Sequence, residues 1–223
     1  MSITESVLQV PLFSHLGEQE AVRLAQAMRE RTYPKKSVIL FEDDPGDALF
    51  IVARGQVKVV LIGEDGREVI LSVLGQGDFF GEMSLLDDEP RSAHVIAMED
   101  SELLILRRED FQRCLEETPR IALGLLRSLS RRLRRADDKI GGLALLDVIG
   151  RVARLLIELA DEGDGVTIHR RITHHTIAQM IGSSRETVSR TMRDLAQRTT
   201  ILIEGKKITI MNRGELNKIA GLR

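Results

Sequence analysis

Short apolar runs alternate with turn residues between Ser37 and Leu106, and this alternation limits the possible folds. The runs share the β-branched and leucine-rich composition of strands: Val38 to Phe41, Leu49 to Ala53, Val57 to Leu61, Val69 to Val73, Val95 to Ala97 and Leu103 to Leu106. Hairpin-type turn residues separate several of them: Asp44-Pro45-Gly46-Asp47, Arg54-Gly55, Asp65-Gly66 and Gly75-Gln76-Gly77-Asp78. Many short strands at such close intervals predict a small antiparallel barrel or roll.

Helical patterns flank this region on both sides. Residues Ser6 to Arg31 indicate short helices with a break at Gly17, which we expect to cover one face of the sheet. A long helical pattern begins at Pro119, a residue suited to a first helical turn, and runs to about Gly141. The chain is therefore predicted to be α+β, and its 223 residues suffice for more than one core.

The long helix carries an apolar heptad seam. Its members follow one another at spacings of four and three: Ala122, Leu126, Leu129, Leu133, Ala136, Ile140 and Leu143. Charged residues crowd the other faces, so the narrow seam favours a homodimer through residues 119–142 over a helix packed only on its own roll. Gly141-Gly142 predict a hinge before a further helix from Leu145 to about Ala160.

The C-terminal part has helix-turn-helix spacing. Thr173 is a suitable N-cap for a helix over Thr176 to Ile181, Gly182 provides the turn, and a second helix runs from about Ser183-Ser184 to Gln197. Its polar side carries Arg185, Glu186, Ser189 and Arg190, with Val188, Met192 and Leu195 behind. Two strands joined through Gly205-Lys206-Lys207 form a basic wing. The polar side could enter a major groove, although the arginines could also form a solvated face.

The charge distribution agrees with DNA binding at this end. Residues 143–223 carry thirteen Lys or Arg against nine Asp or Glu, a net +4. Residues 1–142 carry nineteen against twenty-five, a net −6. The C-terminal part is therefore the one suited to approach phosphates.

The segment from Phe80 to Ala93 places one arginine after an acidic run, among small residues. A glycine allows backbone N–H groups to approach a ligand, Glu82 can accept from sugar hydroxyls, and Arg91 with Ser92 can hold a phosphate. The alternative is an acidic surface hairpin in which Arg91 pairs with Asp87 or Asp88.

Composition argues against several other classes. His94 is the only histidine between Ser37 and Leu106, too few for a metal centre of the barrel oxygenase kind, and no convincing nucleophile and base pair occurs, so we do not expect an enzyme. The lone Cys114 cannot form an internal disulfide and is expected to be a reduced, buried thiol. The sequence shows no long uncharged apolar run and no signal-peptide pattern, so we expect a cytoplasmic protein without a membrane partner.

The Phe80–Ala93 segment resembles the cyclic nucleotide cassette of the cyclic-AMP receptor protein (CRP/FNR) superfamily, and Gly182 to Arg190 resembles its recognition helix. The resemblance covers nearly the whole chain. It implies a jelly-roll sensor domain (1–118), a dimerisation helix with its hinge (119–142) and a winged helix-turn-helix domain (143–223). It also implies a homodimer that binds double-stranded DNA and meets RNA polymerase.

The resemblance assigns roles to particular residues. Gly81 and Glu82 match the backbone and ribose contacts, Met83 and Ser84 follow them in the cassette, and Arg91 with Ser92 matches the cyclic phosphate contacts. Arg185, Glu186 and Arg190 match residues that read base edges, which implies a palindrome of TGTGA-like half-sites. The remaining implied DNA contacts are Thr173, Ser183, Ser184, Ser189, Lys206 and Lys207.

The chain departs from the family at the effector base. The adenine-reading Thr-Ser pair of the family is replaced by Ala136-Asp137, and alanine can neither donate nor accept a hydrogen bond. Cyclic AMP, cyclic GMP, cyclic di-GMP or no effector remain open. Three alternative functions remain: haem sensing, constitutive DNA binding, and nucleotide sensing by a regulatory subunit whose C-terminal module binds protein.

Overall fold

The structure, a computed structural model, describes residues 3–14, 16–168 and 172–222. The chain divides into two compact units, Met1–Leu133 and Arg134–Arg223. The mixed α+β class is confirmed. Each unit has its own hydrophobic core, so each is described by itself.

The first unit is an antiparallel roll. Its strands, in chain order, are β1 (Arg29–Tyr33), β2 (Val38–Leu40), β3 (Ala48–Arg54), β4 (Val57–Ile62), β5 (Glu68–Leu74), β6 (Phe79–Phe80), β7 (His94–Ala97) and β8 (Ser101–Arg107). One sheet has the order β1-β8-β3-β6 and the other β2-β7-β4-β5. All of the paired strands are antiparallel, as the turn residues predict.

Helices lie before, within and after the roll. They are α1 (Ile3–Gln9), α2 (Glu18–Ala27), α3 (Met83–Leu86), α4 (Arg108–Glu117) and the first part of α5 (Pro119–Leu145). Residues of α1, α2 and the segment between them pack against β3 and β8 in a core that includes Phe13 and Phe111, both fully buried. The N-terminal helices therefore cover one sheet, as expected. Arg29 to Arg31, predicted helical, instead form β1 because they pair with β8.

The burial of β4 differs from the predicted alternation. The sequence predicts alternation of Val57, Val59 and Leu61, whereas Val57 and Val60 are the fully buried residues of β4 and Leu61 is exposed. The register with β5 shifts between Val59 and Val60, which pair with Ser72 and Ile70. The extra residue of this β-bulge is therefore Leu71 of β5.

The long helix α5 does not end at the glycine pair. It continues through Gly141 and Gly142 to Leu145, and the next helix, α6, covers Val148–Asp161. The helix break lies instead at Leu146 and Asp147, where the Asp147 side chain accepts a hydrogen bond from the Gly150 N–H and caps α6. An aspartate N-cap satisfies a backbone donor that would otherwise lack a partner.

Replacement of Gly141 by alanine is expected to stabilise this part of α5. A Cβ at Gly141 would meet no atom within 4 Å, and alanine favours the helix over glycine by about 1 kcal/mol. Slower amide hydrogen exchange at residues 141–145 would report the gain. Gly182→Ala is the matched contrast, because Gly182 has φ +64° and should lose stability. Unchanged or faster exchange in Gly141→Ala would contradict the prediction.

The second unit contains the C-terminal elements. After α6 these are β9 (Thr167–Ile168), α7 (His174–Ile181), α8 (Arg185–Gln197), β10 (Ile201–Glu204), β11 (Lys207–Ile210) and α9 (Arg213–Ile219). The strands form an antiparallel sheet in the order β10-β11-β9. The predicted helix-turn-helix and the wing therefore both occur, and their apolar sides meet α6 and α9 in one core.

The structure also bears on the cysteine and on the apolar length of the helices. Cys114 is a free thiol on α4 that is half-buried rather than buried, and its partial burial raises its thiol pKa, which keeps it protonated. Among residues 3–14, 16–168 and 172–222, no helix is long and apolar enough to cross a bilayer.

Candidate effector pocket and DNA-reading surface

Arg91 is an interior residue of the roll. Its side chain is 3% exposed, and its guanidinium donates from Nη1 to the Gly81 carbonyl (2.7 Å) and from Nη2 to the Ala48 carbonyl (2.9 Å). The interpretation of Arg91 as a surface residue paired with Asp87 or Asp88 is therefore wrong. Backbone carbonyls of two separate strand ends hold this cation in a fixed position.

The charge of Arg91 is only partly compensated. Burial lowers its guanidinium pKa, and the nearby Asp47 carboxylate, 3.8 Å from Nη2, acts in the opposite direction. An arginine nevertheless keeps its proton in proteins. A buried cation whose main partners are neutral carbonyls favours an additional anion.

Close backbone approach explains two glycines around Arg91. Gly81 has φ +82°, and a Cβ there would lie 2.7 Å from Arg91 Nη1. Gly46 packs even more tightly, because a Cβ there would lie 2.2 Å from Ser84 Cβ. The sequence indicated Gly46 only as a turn residue, so its role in the pocket wall was missed.

Glu82 is a second buried charge, two residues after the end of β6. It is 2% exposed, and its Oε1 accepts a hydrogen bond from Arg132 Nη1 at 2.7 Å. Arg132 also donates to the Phe79 carbonyl and lies 4.6 Å from the centre of the Phe79 ring. The sequence placed Arg132 among the solvated charges of α5. Its heptad position g, directly before Leu133 of the seam, was the only sequence signal for an ion pair with another part of the protein.

One atom of each buried charge has no hydrogen-bond partner. Arg91 Nε and Glu82 Oε2 are both inaccessible to solvent, and neither has a hydrogen-bond partner within the described part of the chain. The first is a donor and the second is an acceptor. Buried polar atoms of native proteins are nearly always paired, and an unpaired one calls for an explanation. The two atoms are therefore the candidate ligand contacts of the roll.

Arg108 holds the loops around the pocket. Its Nη2 donates to the carbonyls of Gly46 and Ser84, each at 2.7 Å, and its Nη1 lies 2.5 Å from Asp88 Oδ1. These contacts fix the turn at Gly46 against α3. Sequence reasoning missed Arg108, since its partners lie twenty or more residues away in the chain.

The other cassette residues have different environments. Ser84 is buried against Gly46, whereas Met83 is 48% exposed and Ser92 is exposed, with its hydroxyl 3.7 Å from Met83 Sδ. Ala136 and Asp137 are exposed on α5, within the second unit. Their assignment to the base of an effector stays a prediction.

His94, the one histidine that the sequence offered in the roll, has a protein partner. Its Nδ1 accepts from the Glu42 N–H at 3.1 Å, and its Nε2 lies 3.5 Å from the Glu42 carboxylate. Within the described residues, no group of three or more His, Cys, Asp or Glu side chains could hold a metal ion.

Two hydroxyl caps and one glycine shape the helix-turn-helix. Thr173 Oγ1 accepts from the Thr176 N–H at 3.0 Å at the start of α7, and Ser184 Oγ accepts from the Thr187 N–H at 3.1 Å at the start of α8. Gly182 between them is left-handed. The predicted Thr173 cap and the turn at Gly182 are confirmed, the Ser184 cap was not predicted, and Ser183 is half-buried in the turn. Contact of Thr173, Ser183 or Ser184 with phosphates stays a prediction.

The α8 helix divides into a core side and a polar side. Val188, Met192 and Leu195 are buried, while Arg185, Glu186 and Arg190 are exposed and Ser189 is half-exposed. A shallow surface depression is lined by Arg185, Glu186, Ser189, Arg190 and Arg193. Arg193 was missed, although its helical spacing from Ser189 could have indicated it. Lys206 and Lys207 are exposed at the wing turn, where Gly205 has φ +62°.

The apolar seam of α5 is unevenly covered within one chain. Leu126, Leu133, Ile140 and Leu143 are each more than half exposed, whereas Leu129 packs partly on the core of the first unit. Large apolar side chains at a regular helical interval usually contact a partner.

Comparison with known proteins agrees with these features. The family descriptions that match are the cyclic nucleotide-binding domain over residues 30–118 and the Crp-like helix-turn-helix domain over residues 150–219. A cyclic AMP receptor protein of Thermus thermophilus is 38% identical over 94% of this chain and 96% of its own length. A CRP-like cAMP-activated global transcriptional regulator of Mycobacterium tuberculosis is 32% identical over 97% of this chain and 99% of its own length.

A solved structure is similar as well. The c-di-GMP-responsive global regulator CLP of Xanthomonas campestris has a TM-score of 0.73 and 27% identity, covering 83% of this chain and 94% of that one. A cyclic nucleotide-binding roll followed by a Crp-like helix-turn-helix, with close relatives over almost the full length, places this chain in the CRP/FNR superfamily of transcription regulators.

Proposed function

We propose that this chain is a homodimeric transcription factor of the cytoplasm that a cyclic nucleotide regulates and that reads a palindrome of TGTGA-like half-sites. The observation that carries the effector part is the pair of unpartnered buried atoms, Arg91 Nε and Glu82 Oε2. Charge-assisted hydrogen bonds are worth about 1.5–3 kcal/mol each, so satisfying both atoms provides a large part of the affinity for a small ligand.

The chemistry of a cyclic nucleotide fits the two atoms. The cyclic phosphate is an anion that can accept from Arg91 Nε, and the ribose 2′-hydroxyl is a donor that can bind Glu82 Oε2. Arg132 supports this role because it occupies Glu82 Oε1 and leaves the other oxygen for the ligand. A ligand with only one of the two groups would leave a buried charge unsatisfied.

The proposal leaves open which nucleobase the effector carries. The relative from Thermus thermophilus is named for cyclic AMP, and the regulator from Xanthomonas campestris is described as responsive to c-di-GMP. Titration calorimetry against cyclic AMP, cyclic GMP and cyclic di-GMP would identify the effector. We expect cyclic AMP to bind most tightly. Heat from none of the three would refute the effector part of the proposal.

The exposed seam of α5 supports the homodimer. Burial of Leu126, Leu133, Ile140 and Leu143 against a second copy would remove large apolar surfaces from water. Sedimentation equilibrium tests this directly, and a monomer at micromolar concentration would contradict it. Two copies would carry two α8 helices, and a palindromic site matches that two-fold symmetry.

Regulation requires that the effector bind one dimer conformation more tightly than another. Anisotropy with a labelled TGTGA palindrome, measured with and without the nucleotide, would detect that difference as a change in DNA affinity. RNA polymerase is the further partner that we propose. The absence of any sequence preference at moderate salt would favour a protein-binding C-terminal module instead.

Two substitutions on the DNA-reading surface are expected to act differently. Arg185→Ala should lose about 1–3 kcal/mol on the cognate site and relax discrimination at one base pair, because arginine binds guanine in a bidentate manner. Lys206→Ala should weaken all sequences alike, because a lysine at the wing tip contacts phosphate. Anisotropy on cognate and scrambled duplexes separates the two. Equal losses on every sequence for both variants would contradict the assignment of Arg185.

A further inference from the structure

Arg193 shares the polar face of α8 with the residues to which base reading is assigned. It is exposed and borders the depression formed by Arg185, Glu186, Ser189 and Arg190. Neither the cassette nor the recognition-helix motif draws attention to it, because it lies three residues beyond Arg190.

The angular position of Arg193 lies between those of residues to which base reading is assigned. An α-helix advances by about 100° per residue, which places Ser189 at about 40° and Arg193 at about 80° from Arg185. On the same scale Glu186 lies at about 100° and Arg190 at about 140°. The buried residues Val188, Met192 and Leu195 occupy the range of about 280–340°, so the direction opposite the core is about 130°. Arg193 therefore lies about 50° from that direction, between Arg185 and Arg190.

A position between the assigned base readers favours base edges over phosphates. When α8 lies in the major groove with Arg185 and Arg190 at base edges, a residue at an angle between theirs is directed to the same groove floor. Arg193 lies about 4.5 Å along the α8 axis from Arg190. Its side chain is therefore displaced from that of Arg190 and can reach a base pair other than the one at Arg190.

Arg193 is also available for a ligand. In the described part of the chain, no carboxylate forms an ion pair with it, whereas the nearby Arg198 is paired with Asp194 at 3.0 Å. An exposed guanidinium on this face offers five N–H donors, and guanine offers the O6 and N7 acceptors that match its fork.

We propose that Arg193 is a further specificity-determining residue, which reads a guanine next to the TGTGA-like half-site and extends the recognised sequence by one base pair. The inference rests on the proposed DNA reading. It predicts that the wild-type dimer prefers guanine at one flanking position of each half-site by about tenfold, the discrimination of a single bidentate contact.

The test is selection from duplexes in which the positions flanking a TGTGA palindrome are randomised, followed by anisotropy on individual duplexes. Arg193→Ala should lose the flanking preference and keep the preferences within the half-site. Arg193→Lys should also lose it while retaining the salt dependence of the wild type, because lysine keeps the charge but not the fork. Arg198→Ala is the control, because it removes the same single positive charge from a residue outside the polar face of α8. This variant should keep the preference for guanine at the flanking position.

The outcomes separate this inference from the function on which it rests. A uniform loss of affinity on all sequences in Arg193→Ala would identify a phosphate contact and overturn the inference, as would a flanking preference that survives the substitution. Retention of the preference in Arg193→Lys would overturn the bidentate geometry. If the wild-type protein showed no preference even within the half-site, the proposed function itself would fail.

Discussion

Replacement of Arg91 by leucine is expected to reduce cyclic nucleotide affinity by at least about 100-fold, which corresponds to the loss of about 3 kcal/mol of charge-assisted hydrogen bonding. Leucine fills a similar part of the interior but offers no donor to a phosphate. Its apolar side chain also removes a buried charge, which offsets the loss of the hydrogen bonds to the Gly81 and Ala48 carbonyls. We therefore expect the roll to remain folded.

Titration calorimetry measures the loss, and the far-ultraviolet circular dichroism spectrum checks the fold. Arg113→Leu is the matched control, because Arg113 belongs to the same unit but its side chain is 63% exposed and pairs with Asp110 at 3.4 Å on the helix surface. Its nucleotide affinity should equal that of the wild type. If a folded Arg91→Leu protein bound the nucleotide with wild-type affinity, the assignment of Arg91 as a phosphate contact would be contradicted.

Replacement of Gly46 by alanine is expected to destabilise the first unit by about 3 kcal/mol and to weaken nucleotide binding about tenfold, because overpacking of this size forces the backbone to move. The new Cβ would lie 2.2 Å from Ser84 Cβ and 3.2 Å from Arg91 Cζ. Ser84 Cβ is fixed to the α3 backbone and cannot rotate away. The displacement would therefore reach Arg91 itself.

Urea denaturation and calorimetry measure the two effects. Gly75→Ala is the control, because it changes another turn glycine of the roll where a Cβ would meet no atom within 4 Å. The double variant Gly46→Ala with Ser84→Gly removes the contact and should recover part of the stability. If Gly46→Ala were as stable as Gly75→Ala, the close approach of the two loops would be contradicted.

Local features of this chain were predictable because their causes lie within a few residues. The caps at Thr173 and Ser184 act on N–H groups three residues away, and the turn at Gly182 depends on the conformational freedom of one residue. The core and polar sides of α8 follow from helical periodicity alone. The β-strands of the roll were likewise indicated by runs of apolar residues between turn signals.

The misjudged segments depended on partners distant in sequence. Arg29 to Arg31 have no apolar alternation, yet they form a strand because β8 offers a free edge with which to pair. The α5 helix continues through Gly141 and Gly142 to Leu145, although glycine disfavours helices. The next helix begins after Asp147, whose side chain caps it, so the break between the two helices lies beyond the glycine pair. The bulge at Leu71, where β5 pairs with β4, is likewise not indicated by a pattern of period two.

The order of motifs along the chain was sufficient to assign the family and the α+β class, and residue type with short-range spacing indicated the polar face of α8 and the candidate residues Glu82 and Arg91. The arrangement of the pocket was not accessible in the same way. Arg91 meets Ala48, Arg108 meets Gly46 and Arg132 meets Glu82 across 43, 62 and 50 residues respectively. Those contacts exist only when the sheets close, and only the closed roll leaves Arg91 Nε and Glu82 Oε2 buried without a hydrogen-bond partner among the described residues.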